Sequence, residues 1–276
     1  MPAIIRHLTA TGLIDPGLTA DSLADAARHE PADGVYTIAN TFETFKTLRL
    51  DAHLDRLQDS ARRAGVTLTL DRGALRSALR AMIAEAGYGD VRFKITASNA
   101  VPNTLLLAIE PFKPLAASIY ADGVKVVSAL GAARHDPAAK TSAWMHDRKA
   151  IEDALPPGTF TALLLDGDGV ILEGISSNFY AVLDGELRTA SAGMLPGIAQ
   201  QVVFAVAPEV IAIRRKAITL ADVPRCTDAF ITSASRGIVP VVAIDAMTIA
   251  DGAPGAVTRA LRRHYAAYVA AHLEEL

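Results

Sequence analysis

At 276 residues, 51% of them hydrophobic, the chain is long enough for one large core or two modest ones and too apolar for a disordered polymer. Its 27 basic and 30 acidic side chains leave a net charge of −3, which gives no electrostatic footprint for nucleic acid or an anionic membrane. The single cysteine, Cys226, excludes an internal disulfide and a multi-cysteine zinc site and fits a reducing compartment. The opening MPAIIRHLTATGLIDPG holds no apolar run of signal-peptide length, and no later run is long enough to span a bilayer, so a soluble cytoplasmic protein is expected.

Residues 1–34 read as irregular, with a short helix over residues 21–28 that stops before Pro31. From Val35 the run VYTIANTFETFKTLRL is rich in β-branched and aromatic residues and predicts two strands. DAHLDRLQDSARRAG then predicts an amphipathic helix with Leu54, Leu57 and Ala61 on one stripe and Gly65 as its stop. Within it, Arg56 reads on its own as a surface arginine beside Asp55 or Asp59. A helix over residues 71–86 and two strands, DVRFKITAS and NTLLLAIEP, complete a small α/β domain, residues 1–111. The prolines of the next stretch suit neither helix nor strand, so residues 112–119 read as a linker and 120–276 as a larger domain.

VKVVSA opens that second domain, and the loop GAARHDPAA leads to Lys140. A helix over residues 141–155 follows, with Trp144, Ile151 and Leu155 on one side and His146, Asp147, Lys149 and Glu152 mostly away from it, until Pro156, Pro157 and Gly158 end it. FTALLLD, VILEG and NFYAVLDG then read as an antiparallel meander. Alternation along VILEG puts Glu173 on the face of Ile171, at the strand's far end. A glutamate there is either a solvated rim residue, the commoner case, or a buried anion with a cationic partner.

Further on, Pro196 and Gly197 open a helix whose first residues, Ile198 and Ala199, present backbone N–H groups, either an anion site or an ordinary turn. DAFITSASRGIVPVVAID predicts two strands around a loop of Ser233, Ala234, Ser235, Arg236 and Gly237, and a long terminal helix closes the chain.

Lys140 before a helix, Glu173 33 positions on, and the run EGISSN from Glu173 to Asn178 resemble the core of the fold-type IV pyridoxal-phosphate enzymes. That family holds branched-chain and D-amino-acid aminotransferases and aminodeoxychorismate lyase. The resemblance runs collinearly from about residue 35 to 270. It implies a two-domain α/β (α+β) fold, a small α/β domain plus a larger domain with an antiparallel-rich sheet or barrel, with the site in the cleft between them. It implies pyridoxal 5'-phosphate as cofactor, Lys140 as its Schiff-base residue and Glu173 at the pyridine nitrogen, with Ser177 and Asn178 beside it. By the same likeness, Arg56 in H-x-x-R-L, the Gly197, Ile198 and Ala199 turn and the Ser233, Ala234 and Ser235 loop hold the phosphate. A guanidinium fork suits a phosphate dianion through bidentate, charge-assisted bonds.

The sequence departs from the family at Ala199 and Ala234, where threonine is frequent, and at Met145, where branched-chain aminotransferases carry a tyrosine near the cofactor's phenolic oxygen. It departs again at Ala97, where D-amino-acid aminotransferases keep a carboxylate-binding arginine. Phe42, Arg92, Arg148 and Arg236 are the candidates for substrate contact, each arginine also readable as a solvated charge. The implied activity is transamination between a small amino acid or amine and a 2-oxo acid, in amino-acid metabolism. A lyase of the aminodeoxychorismate type, releasing pyruvate, is the alternative, and a non-catalytic binding protein comes third. The resemblance further implies a homodimer without nucleic-acid or membrane partners.

Overall fold

The computed structural model describes residues 1–132, 134 and 136–276. The chain separates into two compact units, one of Met1–Lys113, Ala139–Met145 and His272–Leu276 and the other of Pro114–Ala138 and His146–Ala271. This division is more interleaved than a cut at the proline-bearing segment: the short stretch holding Lys140 and the last five residues group with the first unit.

The first unit contains β1 (Ile4–Thr9), β2 (Gly12–Ile14), α1 (Leu23–Ala26), β3 (Val35–Phe42), β4 (Lys46–Leu48), α2 (Leu50–Ala64), α3 (Arg72–Ala86), β5 (Val91–Ala97) and β6 (Leu105–Pro111). The second contains α4 (Ala117–Asp122), β7 (Val124–Leu130), most of α5 (Ser142–Asp153), β8 (Thr161–Leu165), β9 (Ile171–Gly174), β10 (Asn178–Leu183), β11 (Glu186–Arg188), α6 (Ile198–Val206), β12 (Ile213–Arg214), β13 (Asp228–Ser233), β14 (Gly237–Ile244), β15 (Met247–Thr248) and α7 (Ala256–Ala271). A last strand, β16 (Leu273–Glu275), returns to the first unit.

In the first unit seven strands run in the order β16-β4-β3-β5-β6-β1-β2. The apolar stripe of α2 (Leu50, Leu54, Leu57, Ala61) and that of α3 (Leu75, Leu79, Met82, Ile83) belong to one core with Val91, Phe93, Ile95, Leu107 and Ile109 of the sheet. The helix ends follow their local chemistry. Asp71 caps α3 by accepting from the Ala74 N–H, and Gly65 ends α2 at φ +68°, a left-handed conformation costly for other residues. The opening stretch, read as irregular, supplies β1 and β2. Only Ile5 of β1 is buried, so the strand shows no alternation in sequence, and its pairing with β6 holds it in place. β16, with β4 as partner, is likewise too short for a periodic signal.

The second unit is a nine-stranded sheet, β12-β11-β10-β13-β14-β7-β8-β9, with β15 on β14. It is antiparallel except at β7, which runs parallel to both β14 and β8, and at the β11–β12 pair. The expected meander holds only for β8 and β9. After β9 the chain makes a tight turn, with the Gly174 N–H donating to the Ser177 carbonyl at 2.7 Å, and β10 pairs with β13 and β11 instead. The segment read as a linker is partly structured: β6 runs to Pro111, and beyond Pro114 no proline prevents α4 from forming. Trp144, Ile151 and Leu155 are only half-buried, and Ser142 is the buried residue of α5.

Candidate active site

In the first unit, Lys140 lies just before α5 and is tied to the start of β3. The Tyr36 N–H donates to the Lys140 carbonyl at 3.0 Å, the Ser142 N–H donates to the Gly34 carbonyl at 2.7 Å, and Val35 bridges Thr141. The Lys140 N–H donates to Ser60 Oγ on α2 at 3.1 Å, and its Nζ stands 4.7 Å from the centre of the Tyr36 ring. Strand, helix and loop together therefore fix the backbone of this lysine.

Arg56 and His53 lie on the same α2. Arg56 Nη2 donates to Thr37 Oγ1 at 3.2 Å, and Thr37 Oγ1 shares a 2.9 Å hydrogen bond with His53 Nδ1. His53 is buried, and its pKa is held well below the usual histidine value by burial first and then by the positive charges of Arg56, Lys140 and Arg49. The imidazole is thus neutral and surrounded by cations, a field that favours an anion.

In the second unit Glu173 is 3% exposed. Its Oε1 accepts from Arg134 Nη1 at 3.2 Å, and its Oε2 accepts from the Leu195 N–H at 3.0 Å. Of the two readings open to this glutamate in sequence, the buried, paired one is the structure's. Arg134 carried no sequence signal, since it sits in an alanine-rich loop without periodicity.

Asn178 follows on β10, its Nδ2 donating to the Leu195 carbonyl at 2.8 Å. Asn178 thereby holds the turn that delivers Gly197, and a Cβ on Gly197 would collide with the Asn178 carboxamide. Only glycine lets the chain pass there and enter α6, whose first turn begins at Ile198 and Ala199 without a side-chain cap. Ser177 is buried in the turn before β10. At the β13–β14 hairpin, Ser233 pairs with Gly237 across Ala234, Ser235 and Arg236.

The four substrate candidates occupy different settings. Phe42 ends β3 six residues beyond Tyr36, about 20 Å along an extended strand. Arg92, on β5, makes a 3.4 Å pair with Glu110 on β6, and Arg148 makes a 3.2 Å pair with Glu152 one helical turn on. Arg236 is a clasp: its Nε donates to Ser233 Oγ at 2.9 Å and its Nη2 to Ser176 Oγ at 3.0 Å, joining the hairpin to the turn before β10. Tyr36, Lys94 and His53 were not singled out in sequence. A lysine between Phe93 and Ile95 in a buried strand was the available signal for Lys94.

Among solved structures, a T.th. branched-chain amino acid aminotransferase with pyridoxamine 5'-phosphate superposes with a TM-score of 0.84 at 21% identity, over 100% of this chain and 99% of that one. A fold IV-transaminase from Curtobacterium pusillum gives 0.76 at 22% identity, over 95% and 98%. The fold is therefore fold-type IV.

In sequence, the branched-chain-amino-acid aminotransferase of Pseudomonas aeruginosa is 26% identical over 235 residues, 79% of this chain and 76% of the relative. The D-alanine aminotransferase of Bacillus licheniformis is 26% identical over 242 residues, 82% and 84%. The amino-transferase class IV family model matches residues 34–244, and the chain belongs to that family. It is a pyridoxal-phosphate-dependent aminotransferase in class.

The donor chemistry suits that cofactor. The cationic surroundings of His53 suit a phosphate, as does the uncapped start of α6 behind Gly197, and a buried carboxylate held by an arginine and a backbone N–H suits a protonated ring nitrogen. Among the described residues no group of histidine, cysteine and acidic side chains could hold a metal ion, and no helix is long and apolar enough to cross a membrane.

Proposed function

We propose that the chain moves an amino group between an amino acid or amine and a 2-oxo acid, with Lys140 as the residue that holds the cofactor and handles the proton. The observation that carries this reading is the buried Glu173 carboxylate, which the sequence pattern alone would leave in solvent. Bound pyridoxal phosphate supplies a carbonyl carbon that condenses with amines and a ring that accepts the electron pair left at the substrate Cα. Glu173 keeps the ring nitrogen protonated, because an adjacent carboxylate stabilises the cation. Lys140 Nζ would hold the cofactor and would serve as the base that carries a proton to and from the substrate Cα.

Arg56 would hold the phosphate through its guanidinium, and the N–H groups of Ile198 and Ala199 and the Ser233, Ala234 and Ser235 loop are its other proposed donors. Ala199 and Ala234 offer only backbone donors, so the hydroxyl contribution falls to Ser233 and Ser235. Asn178 and Ser177 shape the turn beside Glu173. Arg236 is committed to two serines, which favours an organising role over a substrate contact.

Borohydride reduction of the cofactor-loaded protein followed by peptide mapping should place the pyridoxyl label on Lys140; a label on Lys149, which pairs with Asp153 on the exposed side of α5, would overturn the assignment. Incubation with L- and D-amino acids and amines, without an oxo-acid acceptor, should convert the cofactor to its amino form. Release of pyruvate from aminodeoxychorismate with no such conversion would replace this reading by the lyase.

A homodimer in a reducing cytoplasm is part of the same proposal. The Cys226 thiol, pushed up to about 11 chiefly by burial, is suited to neither redox nor nucleophilic work. Sedimentation of a fully active monomer would contradict the dimer.

A further inference from the structure

Lys94 is 1% exposed, in the middle of β5. Its Nζ donates to Glu30 Oε2 at 2.5 Å, lies 3.1 Å from Met145 Sδ and stands 4.3 Å from the centre of the Tyr36 ring. Glu30 is as fully buried as its partner. The ring that receives Lys94 is the one that receives Lys140 Nζ at 4.7 Å. A buried ion pair is an expensive way to fill a core, since desolvation consumes much of what the attraction gains.

Register explains how the pieces meet. Tyr36 on β3 faces Thr96 on β5, and Lys94 is two residues from Thr96, so Lys94 and Tyr36 are diagonal neighbours on one face of the sheet. Tyr36 is also the residue whose N–H donates to the Lys140 carbonyl. Its backbone therefore locates the Lys140 main chain, while its ring is the surface on which the Lys140 amine rests. Met145, five residues after Lys140, packs its sulfur on the Lys94 ammonium and ties the first turn of α5 to the same group.

We propose that the Glu30–Lys94 pair is a positioning device for Lys140, acting through the Tyr36 ring and the Met145 side chain. Glu30 fixes the Lys94 ammonium; the ammonium fixes the ring by a cation–π contact; the ring fixes the reach and direction of the Lys140 amine. Because the acid neutralises the base at close range, the pair orders the ring without adding a net charge beside Lys140. The charged and titratable groups of the neighbouring cluster are His53, Arg56 and Arg49, which with Lys140 set the positive field at the imidazole. The proposal rests on the reading of Lys140 as the cofactor lysine.

The test uses the full chain freed of cofactor and compares two ligands. Pyridoxal phosphate can bond to Lys140, whereas pyridoxamine phosphate carries the same ring and phosphate but has no carbonyl to react. The variant is Glu30→Gln with Lys94→Met, which removes both charges together so that no lone charge is left buried; thermal unfolding verifies that it folds.

The rate at which added pyridoxal phosphate becomes borohydride-trappable on Lys140 should fall by about tenfold or more, because small misplacements of a reacting group carry costs of that order. The dissociation constant of pyridoxamine phosphate should move by less than about twofold, since no interaction with ring or phosphate is removed. Equal losses for both ligands would mean that the pair only supports the fold, and unchanged trapping would mean that Tyr36 needs no such support. Either result overturns the positioning role. Absence of any label on Lys140 in the unmodified protein would instead overturn the functional reading beneath it.

Discussion

Each unit buries a glutamate against a cation, and the two burials differ in kind. In the first unit Glu30 and Lys94 meet at 2.5 Å among Tyr36 and Met145, and each charge neutralises the other. In the second, Glu173 is held at 3.2 Å by Arg134 through one oxygen and at 3.0 Å by the Leu195 N–H through the other. Glu173 thus engages a guanidinium with one oxygen and a backbone N–H with the other, whereas Glu30 meets the Lys94 ammonium through Oε2. The first pair orders its neighbours. The second, in the proposed function, would place a carboxylate at the cofactor's ring nitrogen. Burial of a glutamate is thus no signature of chemistry by itself; what matters is which groups the pair touches.

Removing one partner from the Glu30–Lys94 pair should do the greatest damage. Lys94→Met alone leaves the Glu30 charge stranded and should cost about 3–5 kcal/mol of unfolding free energy, the range for breaking a buried ion pair. The same change combined with Glu30→Gln should recover most of that loss. Denaturant melts of the three proteins read the difference, and a single variant as stable as the double would show that the pair is not closed.

In the second unit the effect should appear in turnover. Glu173→Gln keeps the size and removes the charge, and loss of a preorganised electrostatic partner lowers turnover by about 10²–10³, or about 2.7–4 kcal/mol. The protein should still bind cofactor and stay coloured, because Lys140 and Arg56 are untouched. Near-normal turnover with cofactor bound would remove the main support for the functional reading.

The same contrast marks what the sequence can carry. α2, α3, α6 and the β13–β14 hairpin are legible because each has a local signature: the Leu54–Leu57–Ala61 stripe with Gly65 after it, Asp71 as a cap, the Pro196–Gly197 entry, and the serine turn. β1, β2 and β16 are not, because their own burial is slight, β1 and β16 pair with strands far along the chain, and β2 is a three-residue edge strand on β1. Glu173 and Lys140 are legible only through likeness to a family, since local alternation says nothing about what covers a strand end. Arg134 and the Glu30–Lys94 pair escape both routes. A loop arginine and a glutamate 64 positions before its lysine meet only through tertiary structure.

A milder loss is expected from the arginine beside His53 in the first unit. Arg56→Ala removes a guanidinium from the cationic cluster around His53 and should weaken cofactor binding by about 1.5–3 kcal/mol, the range for hydrogen bonds to charged groups. Turnover at saturating cofactor should change far less than affinity. Equal affinities in the variant and the unmodified protein, measured by equilibrium dialysis, would show that Arg56 serves Thr37 and not a ligand.

The smallest expected effect is a pH dependence, and its sign follows from His53. Burial, then Arg56, Lys140 and Arg49, depress the folded-state pKa well below the usual histidine value, so the folded protein refuses a proton that the unfolded chain accepts. Stability is therefore complete above about pH 6.5 and declines as the pH falls, by at most about 1.4 kcal/mol per pH unit for this one group. The decline continues until the folded-state pKa is reached. His53→Gln retains a hydrogen-bonding partner for Thr37 but cannot titrate, so its unfolding free energy should gain on that of the unmodified chain as the pH is lowered from about 6.5 to about 5. Parallel curves for the two proteins would mean that His53 takes up its proton in the folded state. An anion held by Arg56 would offset part of the positive field, raise the His53 pKa and flatten the slope, so the same melts with and without pyridoxamine phosphate should differ most at the acid end.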